Sequence, residues 1–300
     1  MSFLSSLFSR KKKTAEPEIH PYIKSALALM HLSEVGAEAA ASLEKHHIKL
    51  SAEDSGTVRA AVNPAERYIA VSIRQNPADI AVALVGAARR LEHADVCPMP
   101  GLVKMKCADG VKCMRAMEAD VQAHEALMCY TLQSMKLPGF EPSVPGTMAF
   151  HSVLIASAFG KSKEQTLANA VTAFYNCDQS LEACDNKYVS YMTRQGKQAL
   201  LSSKAKIFSD DMAADTCEKI CSTGGQSYMA PGFFERPPSK FIASAARERI
   251  SSLACQFALA AHQPADESVL SMKTRQEAFN AAKEAEKRAA LLKKLTQQKR

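Results

Sequence analysis

The sequence predicts an α+β fold that is predominantly α-helical, and three observations support this prediction. The 300-residue chain has only twelve Gly and no Trp, which favours helix over a sheet-rich fold. Apolar residues recur at helical spacing over most of the chain, whereas strand patterns are confined to residues 48–73. With 47% hydrophobic and 23% charged residues, the composition is that of a globular protein.

The N-terminal half is predicted to contain a helix, a small sheet and a second helix. Helical spacing predicts one helix over residues 21–46. Short strands follow, the last two forming a hairpin around an Asn-Pro turn, at 48–50, 57–62 and 67–73. Asn76 is a good N-cap and Pro77 suits the first helical position, so a helix is predicted from there to about residue 95.

The rest of the chain is predicted to be mostly helical and to contain two loops. Residues 97–113 are expected to form a loop with a tight turn at Asp109-Gly110, and the Gly/Pro-rich residues 223–238 a second one. Helices are predicted at 112–136, 147–159, 162–176, 178–194, 197–222 and 239–262. One domain, residues 17–262, therefore lies between tails at 1–16 and 263–300.

The positive charge of the chain is concentrated in the two tails. Residues 10–13 are four consecutive cations, and residues 273–300 hold nine Lys and Arg against three Asp and Glu. The body between them is slightly acidic, which argues against a core that binds nucleic acid. Two alternatives stay open for residues 1–13: a solvated tail, or a segment that touches an acidic membrane surface. The C-terminal tail is predicted to be a projecting, solvated helix.

The nine cysteines favour a reducing compartment. Their number is odd, and no secretory signal is visible, because the short apolar run at the N-terminus precedes the charges. No apolar run reaches the roughly 18 residues that are needed to span a bilayer. We therefore expect a cytoplasmic protein, peripheral to the membrane at most, with reduced thiols.

Three segments of the chain together resemble a known family. They are Glu66-Arg-Tyr-Ile-Ala-Val-Ser-Ile-Arg-Gln-Asn-Pro77, Arg90-Leu-Glu-His-Ala94 and Glu118-Ala-Asp-Val-Gln-Ala123. In this order they resemble a bacterial family of zincin-type metallopeptidases that is catalogued as a domain of unknown function. The resemblance spans roughly residues 20–245 and implies a small N-terminal sheet packed on a zincin-like helix pair, followed by a helical C-terminal half.

The resemblance also implies a His-Glu-x-x-His motif on the long helix that follows the sheet. In this motif two histidines one turn apart bind zinc, and the glutamate activates the zinc-bound water. His93 matches the second histidine, and Glu118 or the nearby Asp120 matches the third ligand. Arg89 and Arg90 stand where the first histidine and the catalytic glutamate would be. Because arginine neither binds zinc nor acts as a base near neutral pH, the peptidase site is predicted to be degraded.

A salt bridge is expected in place of the metal. Without zinc, a carboxylate on the following helix would be buried and unpaired, and the guanidinium of Arg89 could neutralise it through a bidentate contact. The hypothesis is an ion pair between Arg89 and either Glu118 or Asp120, with Arg90 beside it.

Two metal sites stay open as alternatives. If a metal binds at the helix pair, the candidate ligands are His93, Glu118, Asp120 and His124. The apolar stripe around His124 favours a core histidine held by Asp120 instead. A structural zinc could use His93, Cys97, Cys107 and Cys113, although the closely spaced cysteine pairs of structural zinc sites are absent.

The sequence thus favours a non-catalytic binding or scaffolding protein, with an unknown protein partner and no cofactor, on a metallopeptidase-like fold. The alternatives are an active zinc-dependent hydrolase with a rearranged metal site and an interaction protein with a structural zinc. Neither a Gly-x-Ser-x-Gly elbow nor a phosphate-binding Gly-rich loop is present in the sequence.

Overall fold

A computed structural model describes residues 19–54, 59–201, 208–235 and 244–260, together with positions 276, 280, 283 and 284. The predicted N-terminal tail and nearly all of the predicted C-terminal helix lie outside these ranges.

The fold is α+β and predominantly helical, as the sequence predicts. A small N-terminal sheet is followed by a helical C-terminal half. In chain order the described elements are α1 (Pro21–Met30), α2 (Glu34–Lys45), β1 (Lys49–Glu53), β2 (Ala60–Asn63), β3 (Tyr68–Ser72), α3 (Pro77–Val96), α4 (Met99–Leu102), α5 (Cys107–Met135), α6 (Met148–Ala158), α7 (Lys163–Tyr175), α8 (Asp178–Leu201), α9 (Thr216–Ile220), β4 (Ser222–Thr223), β5 (Gln226–Ser227), a 3₁₀ turn (Phe233–Glu235) and α10 (Ser244–Ala260).

The three-stranded sheet packs against α3, and β3 is its central strand. The predicted hairpin is present, since β2 pairs antiparallel with β3. The strand order is β1-β3-β2, with β1 parallel to β3, and the sequence analysis did not predict this pairing. Ile69 and Val71 on β3 are fully buried in the core. The sheet therefore contacts the helical core through α3.

The helices α3 and α5 pack against each other at the centre of the protein. The side chain of Asn76 caps α3 by accepting a hydrogen bond from the Asp79 N–H, and Pro77 begins the helix, as predicted. Because α1 and α2 pack on α3 while α6, α7 and α8 pack on α5, the facing sides of the two central helices are buried. Any charged residue on these two faces must find its partner inside the protein.

The single helix predicted over residues 21–46 is wrong, since the chain forms α1 and α2 there. Ser33 is the N-cap of α2, and its side chain accepts a hydrogen bond from the Gly36 N–H. The two helices approach closely at this corner, because a Cβ atom on Gly36 would lie 2.2 Å from the carbonyl oxygen of Met30. Local capping therefore outweighs the continuous helical spacing of the apolar residues.

The loop predicted over residues 97–113 is also wrong in its second half. The helix α5 begins at Cys107, so Asp109 and Gly110 are helical and form no tight turn. The Asp109 carboxylate accepts a hydrogen bond from the Met212 N–H. A Cβ atom on Gly110 would lie 2.8 Å from the hydroxyl oxygen of Tyr188, so the glycine makes room for this buried ring.

The continuous helix predicted over residues 197–222 is wrong between its two ends. The preceding helix α8 continues to Leu201, but residues 208–215 are not helical and α9 covers only Thr216–Ile220. The strands β4 and β5 then form a hairpin whose turn residues, Gly224 and Gly225, have φ angles of 58° and 82°. Two positive φ angles are typical of a two-residue hairpin turn, and glycine adopts them without strain.

Candidate functional site

A buried arginine on α3 faces α5. Arg89 and His93 are one helical turn apart, so both side chains lie on the same face of α3. Arg89 is 9% exposed and His93 2%, while Asp120 on the facing helix is fully buried. The three charged or polar side chains therefore lie in the interior between the two central helices.

The guanidinium of Arg89 holds the carboxylate of Asp120 by two hydrogen bonds. The distances are 2.8 Å from Nε to Oδ2 and 3.1 Å from Nη2 to Oδ1. Nη2 also donates to the carbonyl oxygens of Ile220, at 2.9 Å, and Ser222, at 3.1 Å. Nη1 donates to the Glu92 carboxylate. Arg89 thus connects α3 to α5 and to the segment that joins α9 to β4.

Asp120 has three further partners. Nε2 of His93 lies 2.8 Å from Oδ2, and the hydroxyl of Tyr228 donates to Oδ1. Nδ1 of His124, one turn along α5, lies 2.9 Å from the Asp120 carbonyl oxygen. Because the carboxylate is a pure acceptor when ionised, Nε2 of His93 is the donor in the first of these contacts. Every oxygen of Asp120 is hydrogen-bonded.

The charges of this network stabilise one another. Burial favours the neutral form of Asp120, but Arg89 and the two histidines outweigh it and hold the pKa of this carboxyl well below its usual range. Burial also works against the charge of Arg89, and the Asp120 carboxylate nevertheless raises the pKa of the guanidinium. Burial lowers the pKa of His124 to about 4 and raises the pKa of Tyr228 well above its usual value. His124 and Tyr228 are therefore neutral at physiological pH.

The structure decides between the two carboxylates that the sequence offers to Arg89. Glu118 is not its partner, because its Oε2 lies 2.7 Å from Nζ of Lys187 and its Oε1 lies 3.6 Å from Nη2 of Arg90. Glu118 and Asp120 are two residues apart on α5, so their side chains leave the helix in different directions. Arg90 also approaches Glu125, at 3.7 Å.

Most of the residues predicted as zinc ligands on the helix pair are engaged in hydrogen bonds and ion pairs in this structure. Within the described ranges, no group of three or more His, Cys, Asp or Glu side chains is placed to hold a metal ion. His93 Nε2 and both carboxylate oxygens of Asp120 already have hydrogen-bond partners, and Glu118 contacts Lys187. His124 Nε2 is buried without a partner in the described part of the chain.

The proposed structural-zinc ligands have separate partners. The sulfur atoms of Cys97 and Cys113 are 2.8 Å apart. Cys107 instead accepts a hydrogen bond from the Tyr188 hydroxyl at 3.6 Å, and His93 contacts Asp120. Within the described ranges, no three of these four side chains form a group that could hold a metal ion.

An open cleft of about 630 Å³ lies beside the Arg89 network. It is lined by α2, by the C-terminal part of α3 and by residues 219–225. Two polar atoms of its lining, Nδ1 of His93 and Oγ of Ser42, are buried without a hydrogen-bond partner among the described residues. The hydrogen bond of His93 to Asp120 uses Nε2, so Nδ1 is the ring nitrogen that remains without a partner.

Several contributors to the site were not predicted from the sequence. Tyr228 and the carbonyl oxygens of Ile220 and Ser222 belong to a segment that was expected to be partly helix and partly loop. The Gly224-Gly225 pair was the available signal, because such pairs are typical of hairpin turns. Nothing in the sequence pattern indicated that the hairpin would lie against Arg89.

Comparison with protein-family models, curated proteins and solved structures finds no match to this chain. The class that the structure defines is therefore an α+β, predominantly helical protein with a buried Arg–Asp–His network beside a polar cleft. None of the helices in the described ranges has both the length and the apolar character needed to cross a bilayer.

We expect the Arg89→Met substitution to destabilise the protein by about 3–5 kcal/mol, because it leaves the buried carboxylate of Asp120 without its main partner. The matched control is Arg74→Met, which removes an Arg–Asp pair with Nε and Oδ1 2.6 Å apart but with both side chains exposed. Exposed pairs of this kind contribute little. Urea denaturation measures the free energy of unfolding of both variants. Equal losses would show that the buried pair stabilises the protein no more than the exposed pair does.

We expect His124 to make stability depend on pH. The unfolded histidine binds a proton near pH 6.5, whereas the folded one stays neutral down to about pH 4. The unfolded state binds more protons between these values, so the free energy of unfolding falls by roughly 3 kcal/mol as the pH is lowered through this window. Denaturation of the unmodified protein at several pH values measures this loss.

The His124→Asn variant should lose most of this dependence, whereas His31→Asn, which changes an exposed histidine, should retain it. Identical pH profiles for the unmodified protein and His124→Asn would contradict the assignment of the effect to His124.

Proposed function

We propose that this protein is a non-catalytic binding protein on a zincin-like helix pair, in which an arginine replaces the metal. The observation that carries the proposal is the bidentate contact of Arg89 with Asp120. The resemblance places Arg89 where the first histidine ligand would be, one turn before His93. The cation that neutralises the buried carboxylate of α5 is then a permanent part of the chain.

The chemistry of arginine supports this function. A guanidinium stays protonated at any physiological pH, and its planar donors match a carboxylate in geometry. A zinc ion at Asp120 would have to displace two charge-assisted hydrogen bonds, and the displaced guanidinium would remain nearby as a repelling charge. Arg90, at the position of the catalytic glutamate, contacts Glu118 and Glu125 and cannot act as a base.

The cleft beside Arg89 is the proposed binding surface. Its lining includes charges of both signs, with Lys45 and Lys219 among the cations and Glu92 among the anions. His93 is one of the lining residues, and its buried Nδ1 has no hydrogen-bond partner among the described residues. A volume of about 630 Å³ is within the usual range of ligand pockets, so the cleft could hold a few residues of a polar protein segment.

A zinc-dependent hydrolase with a rearranged site is the second candidate. It is favoured by the two buried ring nitrogens, Nδ1 of His93 and Nε2 of His124, which have no partner among the described residues. Neutral imidazole nitrogens are the commonest metal ligands in proteins. Metal analysis therefore separates the two candidates directly.

Metal content and hydrolysis test the proposed loss of catalysis. We expect the unmodified protein to contain no stoichiometric zinc and to leave a peptide substrate intact. The double variant Arg89→His with Arg90→Glu should gain zinc, because it restores two histidines one turn apart with an intervening glutamate. Elemental analysis by mass spectrometry and a casein cleavage assay measure both properties.

Two results of this experiment would contradict the proposal. One chelator-removable zinc in the unmodified protein that is lost in His93→Ala would indicate an active, rearranged site. Zinc that persists in His93→Ala but is lost in Cys107→Ala would indicate the cysteine cluster instead. Both single variants are measured beside the unmodified protein.

Photo-crosslinking in cells tests the cleft as a protein-binding surface. A benzophenone amino acid at Thr223, which lines the cleft, should give a discrete protein adduct. The control position is Phe159, which is 78% exposed and does not line the cleft. Adducts of equal yield from both positions, or none from Thr223, would argue against a partner in the cleft.

A further inference from the structure

Two buried thiols lie in direct contact at the ends of the central helices. Cys97 is the C-cap of α3, and its N–H donates to the carbonyl oxygen of His93 at 2.7 Å. Cys113 lies in the second turn of α5. Their sulfur atoms are 2.8 Å apart, and both cysteines are free and almost fully buried. The fold thus holds two thiols at a separation that needs little movement to become a covalent bond.

We propose that Cys97 and Cys113 form a redox-active pair, which a hydroperoxide converts into a disulfide and a low-molecular-weight thiol restores. This modification site is independent of the proposed function, since it requires neither a metal nor a partner in the cleft.

Oxidation of the pair to a disulfide proceeds in two steps. The Cys97 thiol loses its proton, and the thiolate attacks one peroxide oxygen, so that an S–O bond forms and the O–O bond breaks. The released proton is taken up by the leaving oxygen, and the products are a sulfenic acid and an alcohol, or water when the oxidant is hydrogen peroxide. The Cys113 sulfur then attacks the Cys97 sulfur, forming the S–S bond and expelling the hydroxyl as water with the proton of the Cys113 thiol. The two cysteines together lose two electrons, and the peroxide gains them.

The roles of the two thiols follow from their hydrogen bond. The Cys113 thiol donates to the Cys97 sulfur, and this contact lowers the pKa of Cys97. The same contact, together with burial, raises the pKa of Cys113 far above its usual value. Cys97 is therefore the thiol that is first oxidised, and Cys113 is the resolving thiol.

Other buried cysteines of the described residues have partners outside the pair. Four of them have these contacts: Tyr188 for Cys107, Met212 for Cys217, Ala116 for Cys221 and Ser143 for Cys129. Because the Cys97 and Cys113 sulfurs are buried, the oxidant reaches them only when the chain near the end of α3 opens, so the reaction is slower than at an exposed thiol. Cys177 and Cys255 are only partly buried and would react independently.

The disulfide would act on the candidate site through α3. It would link Cys97, whose N–H donates to the His93 carbonyl oxygen, covalently to α5, the helix that carries Asp120. The end of α3 could then no longer separate from α5 beside the Arg89 network. Oxidation is therefore expected to rigidify the wall of the cleft that contains His93.

Peptide mapping tests the proposal on the folded protein. The starting protein carries Cys177→Ser and Cys255→Ser, which remove the two most accessible thiols. After treatment with hydrogen peroxide, remaining thiols are blocked with N-ethylmaleimide and the chain is cut with trypsin. The sequence separates the three relevant cysteines, since Cys97, Cys107 and Cys113 lie on peptides 91–104, 107–112 and 113–115. We expect peptide 91–104 linked to 113–115, and its loss on treatment with dithiothreitol.

Two variants sharpen the result. In the same background, Cys113→Ser should abolish the linked product, whereas Cys107→Ser should leave it unchanged. Linkage of 91–104 to 107–112 instead, recovery of both thiols as maleimide adducts, or overoxidised Cys97 without any linked product would overturn the proposal. The mapping of the starting protein decides these outcomes even if a variant does not fold.

Discussion

The bidentate pair of Arg89 and Asp120 determines how several separate parts of the chain come together. Asp120 is fully buried, so its charge must be neutralised within the protein, and Arg89 is the side chain that reaches both of its oxygens. The remaining donors of Arg89 then need acceptors. The carbonyl oxygens of Ile220 and Ser222 supply them, and this requirement holds the segment between α9 and β4 against α3. One buried charge pair thereby orients three elements that are distant in sequence.

A second buried ion pair joins α5 to α8 in the same way. Nε and Nη2 of Arg115 contact the carboxylate of Asp185 on α8 at 2.8 and 2.6 Å, and both side chains are almost fully buried. Removing either partner would leave an uncompensated charge in the core, so α8 must keep its register with α5. Two buried charge pairs thus fix the position of α5, and apolar packing fills the space between them.

The sequence predicts the elements that depend on local chemistry better than those that depend on distant contacts. The Asn76-Pro77 start of α3 and the β2–β3 hairpin are set by neighbouring residues, and both are found. The parallel pairing of β1 with β3 and the break within the predicted helix at 197–222 depend on tertiary contacts, and both escaped prediction. In the site, chemistry alone indicated that Arg89 needs a carboxylate. Selecting Asp120 required the orientation of α5, and finding Tyr228 required the position of the hairpin.

Arg89 and Arg90 of α3 neutralise neighbouring carboxylates of α5, although each contacts different ones. Arg89 neutralises Asp120, while Arg90 lies between Glu118 and Glu125, at 3.6 and 3.7 Å. Burial raises the pKa of Glu125, and Arg90 is the largest influence that opposes this effect. Replacing one arginine changes the potential at Glu118, Asp120 and Glu125, so the effects of the two substitutions should not be additive. Arg89 and Arg90 therefore supply, together with Lys187, the cations that neutralise three acidic side chains of α5.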